Sequence, residues 1–227
     1  MHRQGKSESG NQDNYLHKGL RKHLVETIRN KGISDSRVLE VIGALPRHLF
    51  LDKAFQEKAY EDIPFPIGAG QTISQPFTVA YQTELLGVQK HDKILEIGTG
   101  SGYQACVLSM MGARVYSIER QEDLFHKTNI ILKKLGFENI KTFLKDGYKG
   151  LPAFAPFDKI IITAATTIIP PELVKQIRVG GIMIFPKGEQ GRQVMCVLTK
   201  NENENYTITE KDYFTFVPML EGVIKSK

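Results

Sequence analysis

Residues Ile94 to Tyr103 read Ile-Leu-Glu-Ile-Gly-Thr-Gly-Ser-Gly-Tyr, and their types and spacing set up cofactor chemistry. An apolar strand carries an acid, Glu96. A turn containing Gly98, Thr99, Gly100, Ser101 and Gly102 follows, and a helix opens at Tyr103. Glycines at such a corner permit positive φ and remove Cβ atoms that would keep a ligand off the backbone. The free amides at the start of the helix can then hold a carboxylate or a phosphate. The spacing is G-x-G-x-G and not the G-x-G-x-x-G of a dinucleotide site. Glu96 beside a pyrophosphate would be repelled, whereas beside the ammonium of S-adenosylmethionine (SAM) it is attracted. A second acid, Glu119, ends the next apolar strand about 20 residues on and precedes Arg120, where a carboxylate can accept both ribose hydroxyls. Acid, three glycines and second acid in a strand–helix–strand frame point to SAM over NAD.

Three further groups of residues could contribute. Lys145-Asp146-Gly147 follows the third strand, where Asp146 can accept from the exocyclic amine of an adenine and Gly147 leaves room for the ring. Phe157 to Ala165 is an apolar strand ending in small residues, which either leave space for two substrates or serve packing alone. Gly68 to Pro76 is a long loop rich in hydroxyl and amide groups, the kind of loop that carries function. Its Ser74 lies outside any G-x-S-x-G elbow and has no nearby histidine in sequence, which argues against a serine hydrolase.

These residues need a frame to position them. Strands expected at 93–97, 114–118, 140–144, 158–163 and 181–185 alternate with helices at 103–111, 121–135 and 171–178. That alternation is the signature of an α/β fold with a doubly wound, mostly parallel sheet. Ile160, Ile161 and Ile162 mark a central strand buried on both faces. Upstream, Leu20, Leu24 and Ile28 repeat at helical spacing, and Val38, Leu39, Ile42 and Leu45 do so again before Pro46. A short helix is expected at 51–60, irregular chain from Asp62 to Pro76, and a helix at 78–86 leading to the first sheet strand. The C-terminal part changes character, with strands at Gln193–Thr199 and Tyr206–Thr209 around a turn at 201–205, then a last edge strand at Phe214–Val217. The expected organisation is a disordered tail at 1–14 and a single domain over 15–227, with N-terminal helices and the loop in 15–76 and the sheet core in 77–227.

Bulk properties remove other classes. The chain has 227 residues, is 41% hydrophobic and 24% charged, and carries a formal charge of +5. Its Lys and Arg residues are scattered, with no basic run interleaved with aromatics, so no nucleic-acid patch is expected. Cys106 and Cys196 are far apart in apolar stretches and read as buried hydrophobes, not as a disulfide. The six histidines show no metal-ligand spacing, so no metal is expected. No apolar run approaches the length of a membrane span, and Met1 to Asn14 lacks the apolar stretch of a secretory signal. The chain reads as cytoplasmic and monomeric.

The motifs together closely resemble bacterial protein-L-isoaspartate (D-aspartate) O-methyltransferases from roughly residue 20 to 222. Pro46-Arg47-His48-Leu49-Phe50, Gly70–Pro76, Leu95–Ala105, Ser117–Arg120, Phe157–Ala165, Gly180-Gly181 and Phe216–Met219 carry the resemblance. The Gly-Gln-Thr-Ile-Ser-Gln-Pro loop is its specific part. The resemblance implies a SAM-dependent methyltransferase acting on the free α-carboxylate of isoaspartyl residues in damaged proteins, with repair through a succinimide. It places Ser74 at the reaction centre, touching both cofactor and isoaspartyl group. Gln71, Thr72 and Ile73 would line the same pocket, Gln193 would lie near the active site, and Val217 and Pro218 would shape the peptide groove. Two positions depart from the family pattern: Lys145 stands where glycine is usual, and Thr166 where many bacterial members have proline. The carboxylate acceptor is already ionised at neutral pH, since a terminal carboxyl titrates near ~3.5. No general base is then required, in keeping with a candidate site that lacks one. A methyltransferase acting on RNA or a small molecule is the nearest rival, but the chain has no Asn-Pro-Pro-Tyr motif. A non-catalytic SAM-binding module is the other, opposed by intact Ser74, Glu96 and Asp146.

Overall fold

The computed structural model describes residues 13–189, 191–202 and 205–226. Two helices open it, α1 (Tyr15–Asn30) and α2 (Ser36–Ala44). α1 starts where the Asn14 side chain accepts from the His17 amide at 3.0 Å, pairing one of the N–H groups a helix leaves unbonded. Asp13 pairs with Arg21 through both carboxylate oxygens at 2.7 Å. The first two described residues of the expected tail are thus tied into the fold, and residues 1–12 lie outside the described residues. Leu24 and Ile28 of α1 bury against Val38, Leu39 and Ile42 of α2, as their spacing requires. The short helix expected at 51–60 is 3₁₀, at Lys53–Lys58, and another 3₁₀ turn at Arg47–Phe50 precedes it.

The segment from Asp62 to Pro76, expected to be irregular, contains a hairpin of β1 (Phe65–Gly68) and β2 (Gln71–Ile73). Its turn residues Ala69 and Gly70 both have positive φ, 50° and 68°, the geometry that a two-residue hairpin turn demands. Phe65, Ile67 and Ile73 point into the core while Pro66 and Gly68 face outward. Proline and glycine mask a strand in sequence, yet both are tolerated at an edge. α3 (Pro76–Leu86) follows and packs on the sheet.

The main sheet has seven strands in the order β5-β4-β3-β6-β7-β8-β9. They are β3 (Lys93–Ile97), β4 (Arg114–Glu119), β5 (Lys141–Leu144), β6 (Phe157–Ile162), β7 (Ile177–Lys187), β8 (Gln193–Lys200) and β9 (Tyr206–Phe214). The pairs from β5 through β7 are parallel, and β8 and β9 add an antiparallel edge. The connecting helices are α4 (Tyr103–Met110), α5 (Glu122–Lys134) and α6 (Pro171–Gln176). Ile160, Ile161 and Ile162 are fully buried, as expected of a strand covered on both faces. β7 begins at Ile177, four residues before the expected strand start at 181, because the helix expected at 171–178 ends at Gln176, and two boundaries at the C-terminal edge differ as well. β9 runs on to Phe214, and residues 215–217 leave the sheet, so the separate edge strand at Phe214–Val217 does not form. That chain instead crosses back, with Ala165 donating to the Val217 carbonyl at 2.8 Å and Met219 donating to the Ala165 carbonyl at 2.7 Å. Among the described residues, no helix is long and apolar enough to cross a membrane.

Candidate active site

Strand order reverses between β3 and β6, and the crevice at the carboxyl ends of such strands is where open α/β sheets bind ligands. A cleft lies there, walled by the glycine turn after β3, by Glu119 and Arg120 at the end of β4, and by Gly147, Thr163 and Ala164. Val217 to Leu220 cover one side, and Gln71 to Ser74 close another. Gly98, Thr99, Gly100 and Ser101 all line it. Gly98, Gly100 and Gly102 have φ of 98°, 53° and 83°, so the turn needs glycine for its backbone. The protein's own packing adds a second reason. A Cβ on Gly98 would come within 2.5 Å of Thr163 Oγ1, and one on Gly147 within 2.5 Å of Ile97 Cγ2. Gly102 does not line the cleft; its missing Cβ lets α5 approach, 2.8 Å from Thr128 Cγ2.

The three acids take different positions. Glu119 carries one oxygen to the Gly100 amide at 2.8 Å and the other to the amides of Arg120 and Gln121 at 2.8 and 2.9 Å. It therefore pins the glycine turn to β4 and still borders the cleft, with acceptor capacity left for a hydroxyl. Asp146 caps the turn after β5, accepting from the Tyr148 amide at 3.0 Å, and lies beside the cleft-lining Gly147 without lining the cleft itself. Glu96 is also absent from the cleft wall. It is fully buried behind the turn, where Ser117 Oγ donates to it at 2.5 Å and Thr99 Oγ1 lies 2.6 Å from that same Ser117 oxygen. Among the described residues its Oε1 has no hydrogen-bond partner, and burial, reinforced by the nearby Glu119 charge, pushes its carboxyl up to about 8. A direct Glu96–ammonium contact is thus not what this arrangement presents. The acid instead supports the turn through Ser117 and Thr99.

Ser74 occupies a boundary. It lines the cofactor cleft and also a second groove, bounded by Lys31, Gln75, Phe77 and the chain from Tyr213 to Val217. Thr72, Thr163 and Val217 line both spaces too, so these four residues stand where the two chambers meet. Ile73 and Gln71 face the cleft alone, as does Pro218. The Thr163 hydroxyl lies 3.0 and 2.9 Å from the Ile97 and Gly98 carbonyls and shares its one proton between them, tying the glycine turn to the junction. In the sequence Thr163 is visible only as one of the small residues that end this strand. Gln193 lies outside both spaces. Fully buried, it accepts from the Phe216 amide at 2.8 Å and donates to the Glu189 carbonyl, and so fixes the groove wall from behind.

Other elements buttress the site. Arg47, fully buried, stacks over the Tyr103 ring with its guanidinium 5.1 Å from the centroid, and Phe50 meets the same ring edge-on at 5.3 Å. Burial lowers the Arg47 guanidinium to about 10. The Pro46–Phe50 motif thereby holds the first residue of α4 against the cleft. Arg120 reaches the other way, donating to the Glu221 and Gly222 carbonyls at 3.0 and 3.1 Å and latching the covering strap. Histidines unrelated by spacing do meet in space: Asp13, His17 and His48 offer ligand atoms within 4.8 Å of one another. Both Asp13 oxygens are held by Arg21, and His48 Nδ1 lies 2.6 Å from the Tyr60 hydroxyl, which makes this a polar brace between α1 and the 3₁₀ turn. Of the two departures, Lys145 is exposed and outside the cleft wall. Thr166 donates its amide to the Pro186 carbonyl at 3.0 Å, a bond that proline could not make.

A doubly wound sheet with a glycine-walled cleft at its switch point is the architecture of SAM-dependent methyltransferases. A model of the protein-L-isoaspartate(D-aspartate) O-methyltransferase family matches residues 19–223, and the chain belongs to that family. A protein-L-isoaspartate O-methyltransferase of Flavobacterium psychrophilum is 52% identical over 209 residues, which cover 92% of this chain and 98% of that relative. A solved protein-L-isoaspartate O-methyltransferase superposes with a TM-score of 0.79 at 29% identity, over 87% of this chain and 65% of that one. A Plasmodium falciparum structure of the same description, in complex with S-adenosyl-L-homocysteine, gives a TM-score of 0.77 at 26% identity, over 88% and 98% of the two chains.

Proposed function

We propose that this protein transfers a methyl group from SAM to the free α-carboxylate of L-isoaspartyl residues in damaged proteins, with the ester collapsing to a succinimide that begins repair. The observation that carries this reading is the pair of chambers meeting at Ser74, Thr72, Thr163 and Val217. One chamber fits the cofactor: Ile97, Ile118 and Met219 give it an apolar wall, while Thr99, Ser101, Glu119 and Arg120 give it a polar one. In this reading Glu119, on the cleft wall, accepts the ribose hydroxyls, and the Asp146-Gly147 turn meets the adenine edge. When bound, SAM supplies an electrophilic methyl group.

The chain's own task is alignment. The Ser74 hydroxyl is half-buried and makes no hydrogen bond with any described residue, so it is free to donate to the acceptor carboxylate. Thr72 and Val217 confine that carboxylate, and the strap at Val217–Leu220 keeps water from the junction. Orientation of this kind can supply ~7–11 kcal/mol of a barrier. No base is involved, because the acceptor is ionised at neutral pH. Residues 15–227 act as one cytoplasmic, monomeric domain, with no nucleic-acid or membrane partner. Ser74→Ala tests the reading. Loss of one bond to a charged group, ~1.5–3 kcal/mol, lowers turnover of an isoaspartyl peptide roughly ten- to hundredfold while SAM affinity changes little. Undiminished turnover would remove Ser74 from the mechanism.

A further inference from the structure

The groove on the acceptor side of Ser74 has aromatic walls, Phe77, Phe214 and Phe216 among them, and Tyr213 at its rim. Among the described residues lining it, Lys31 alone carries a formal charge. The Lys31 ammonium is 2.6 Å from Asp62 Oδ2, yet the two partners are unequally exposed, with 44% of the Lys31 side chain accessible against 8% for Asp62. The buried carboxylate is satisfied from within. Asp62 Oδ1 accepts from the Phe77 amide in the first turn of α3 at 2.7 Å, and Oδ2 accepts from Gln75 Nε2 at 3.0 Å. Backbone and amide donors therefore absorb much of the anion's field, and a helix N-terminus favours negative charge there. The cation points outward with two of its three N–H donors unused by Asp62. It also sits 5.6 Å from the Phe77 ring centroid. Outside the groove lining, Asp212 accepts from the Tyr81 hydroxyl at 2.7 Å, and the Arg192 guanidinium lies 4.2 Å from the Tyr213 ring centroid.

We infer that Lys31 is a specificity determinant, favouring isoaspartyl peptides that carry a second carboxylate close to the damaged residue. This rests on the acceptor-groove reading given under Proposed function. The ammonium adds an attraction that the isoaspartyl carboxylate, held at Ser74, does not use. An exposed pair of this kind amounts to a factor of about five at low salt, and it fades as ions screen it.

The test compares isoaspartyl peptides of one sequence bearing Glu, Gln or Lys at each position flanking the damaged residue, with labelled SAM as donor. Wild-type protein is expected to show kcat/KM about fivefold higher for the best-placed Glu than for Lys at that position, the ratio falling towards one in about 1 M salt. Lys31→Gln is expected to bring the ratio to about one at low salt, and Lys31→Glu to invert it. Because the readout is a ratio between peptides, a general loss of activity in a variant does not imitate it. A wild-type ratio of one at every position, or a ratio unchanged in Lys31→Gln, overturns the inference while leaving isoaspartyl methylation standing. Failure of every isoaspartyl peptide to accept methyl overturns the underlying reading, and this inference with it.

Discussion

Replacing Glu96 by Gln tests what the buried acid does. In the folded protein burial holds this carboxyl up at about 8, from an ordinary value of 4.5. In the unfolded chain it ionises near the ordinary value. Between these limits the folded state keeps a proton that the unfolded state has lost, so stability is full below the unfolded value and drains away as pH rises through 8. The slope is about 1.4 kcal/mol per pH unit, which gives about 3 kcal/mol between about pH 5.5 and pH 7.5. Gln keeps an oxygen to accept from Ser117 and has no proton to lose. The difference in unfolding free energy between Glu96→Gln and wild type is therefore expected to grow in the variant's favour by about 3 kcal/mol across that window. At ~2–4 °C per kcal/mol for a chain of this size, its melting temperature gains roughly 6–12 °C relative to wild type. Urea unfolding of both proteins at a series of pH values measures it. The difference cancels other titrating groups, including His48, which burial pushes down to about 4 and which acts with the opposite sign. A difference that does not change with pH would refute the placement of Glu96 as a buried neutral acid.

Two other substitutions separate the cleft from its supports. Arg120→Ala removes both bonds to the strap carbonyls and is expected to speed dissociation of S-adenosylhomocysteine about tenfold in stopped-flow fluorescence, since charged hydrogen bonds contribute ~1.5–3 kcal/mol. An unchanged rate would show that the strap does not gate the cleft. Gln193→Ala leaves the Phe216 amide without its acceptor and should cost ~1–3 kcal/mol of stability. It should also raise KM for an isoaspartyl peptide several-fold with cofactor affinity intact; a loss confined to cofactor binding in calorimetry would contradict the placement of Gln193 behind the peptide groove.

The sheet core was legible because its signals are local. Ile160-Ile161-Ile162 can only be a strand covered on both faces, and three glycines after an apolar strand can only be a tight corner opening a helix. Less legible was anything decided by contacts between distant segments. The hairpin at Phe65–Ile73 hides behind Pro66 and Gly68, and only the positive φ of Ala69 and Gly70 with burial of Ile67 and Ile73 shows it. The chain at 215–217 has the composition of a strand, but pairing of Val217 and Met219 with Ala165 draws it over the cleft. The spacing expects Glu96 to face a cofactor ammonium, whereas in the structure it lies buried behind the glycine turn. Successive residues of a strand point to opposite faces, so Ile97 takes the cleft and Glu96 the layer behind it. Thr163 and Arg120 act through carbonyls that no motif records, and the meeting of His17 with His48 needs α1 to fold back on a turn 31 positions later.

The most direct measurement is transfer of labelled methyl from SAM to a short isoaspartyl peptide, beside the same peptide with normal aspartate. Label is expected on the isoaspartyl peptide alone, released as methanol in mild base because the product is a carboxyl ester. Equal labelling of both peptides, or none on either while SAM still binds, would contradict it.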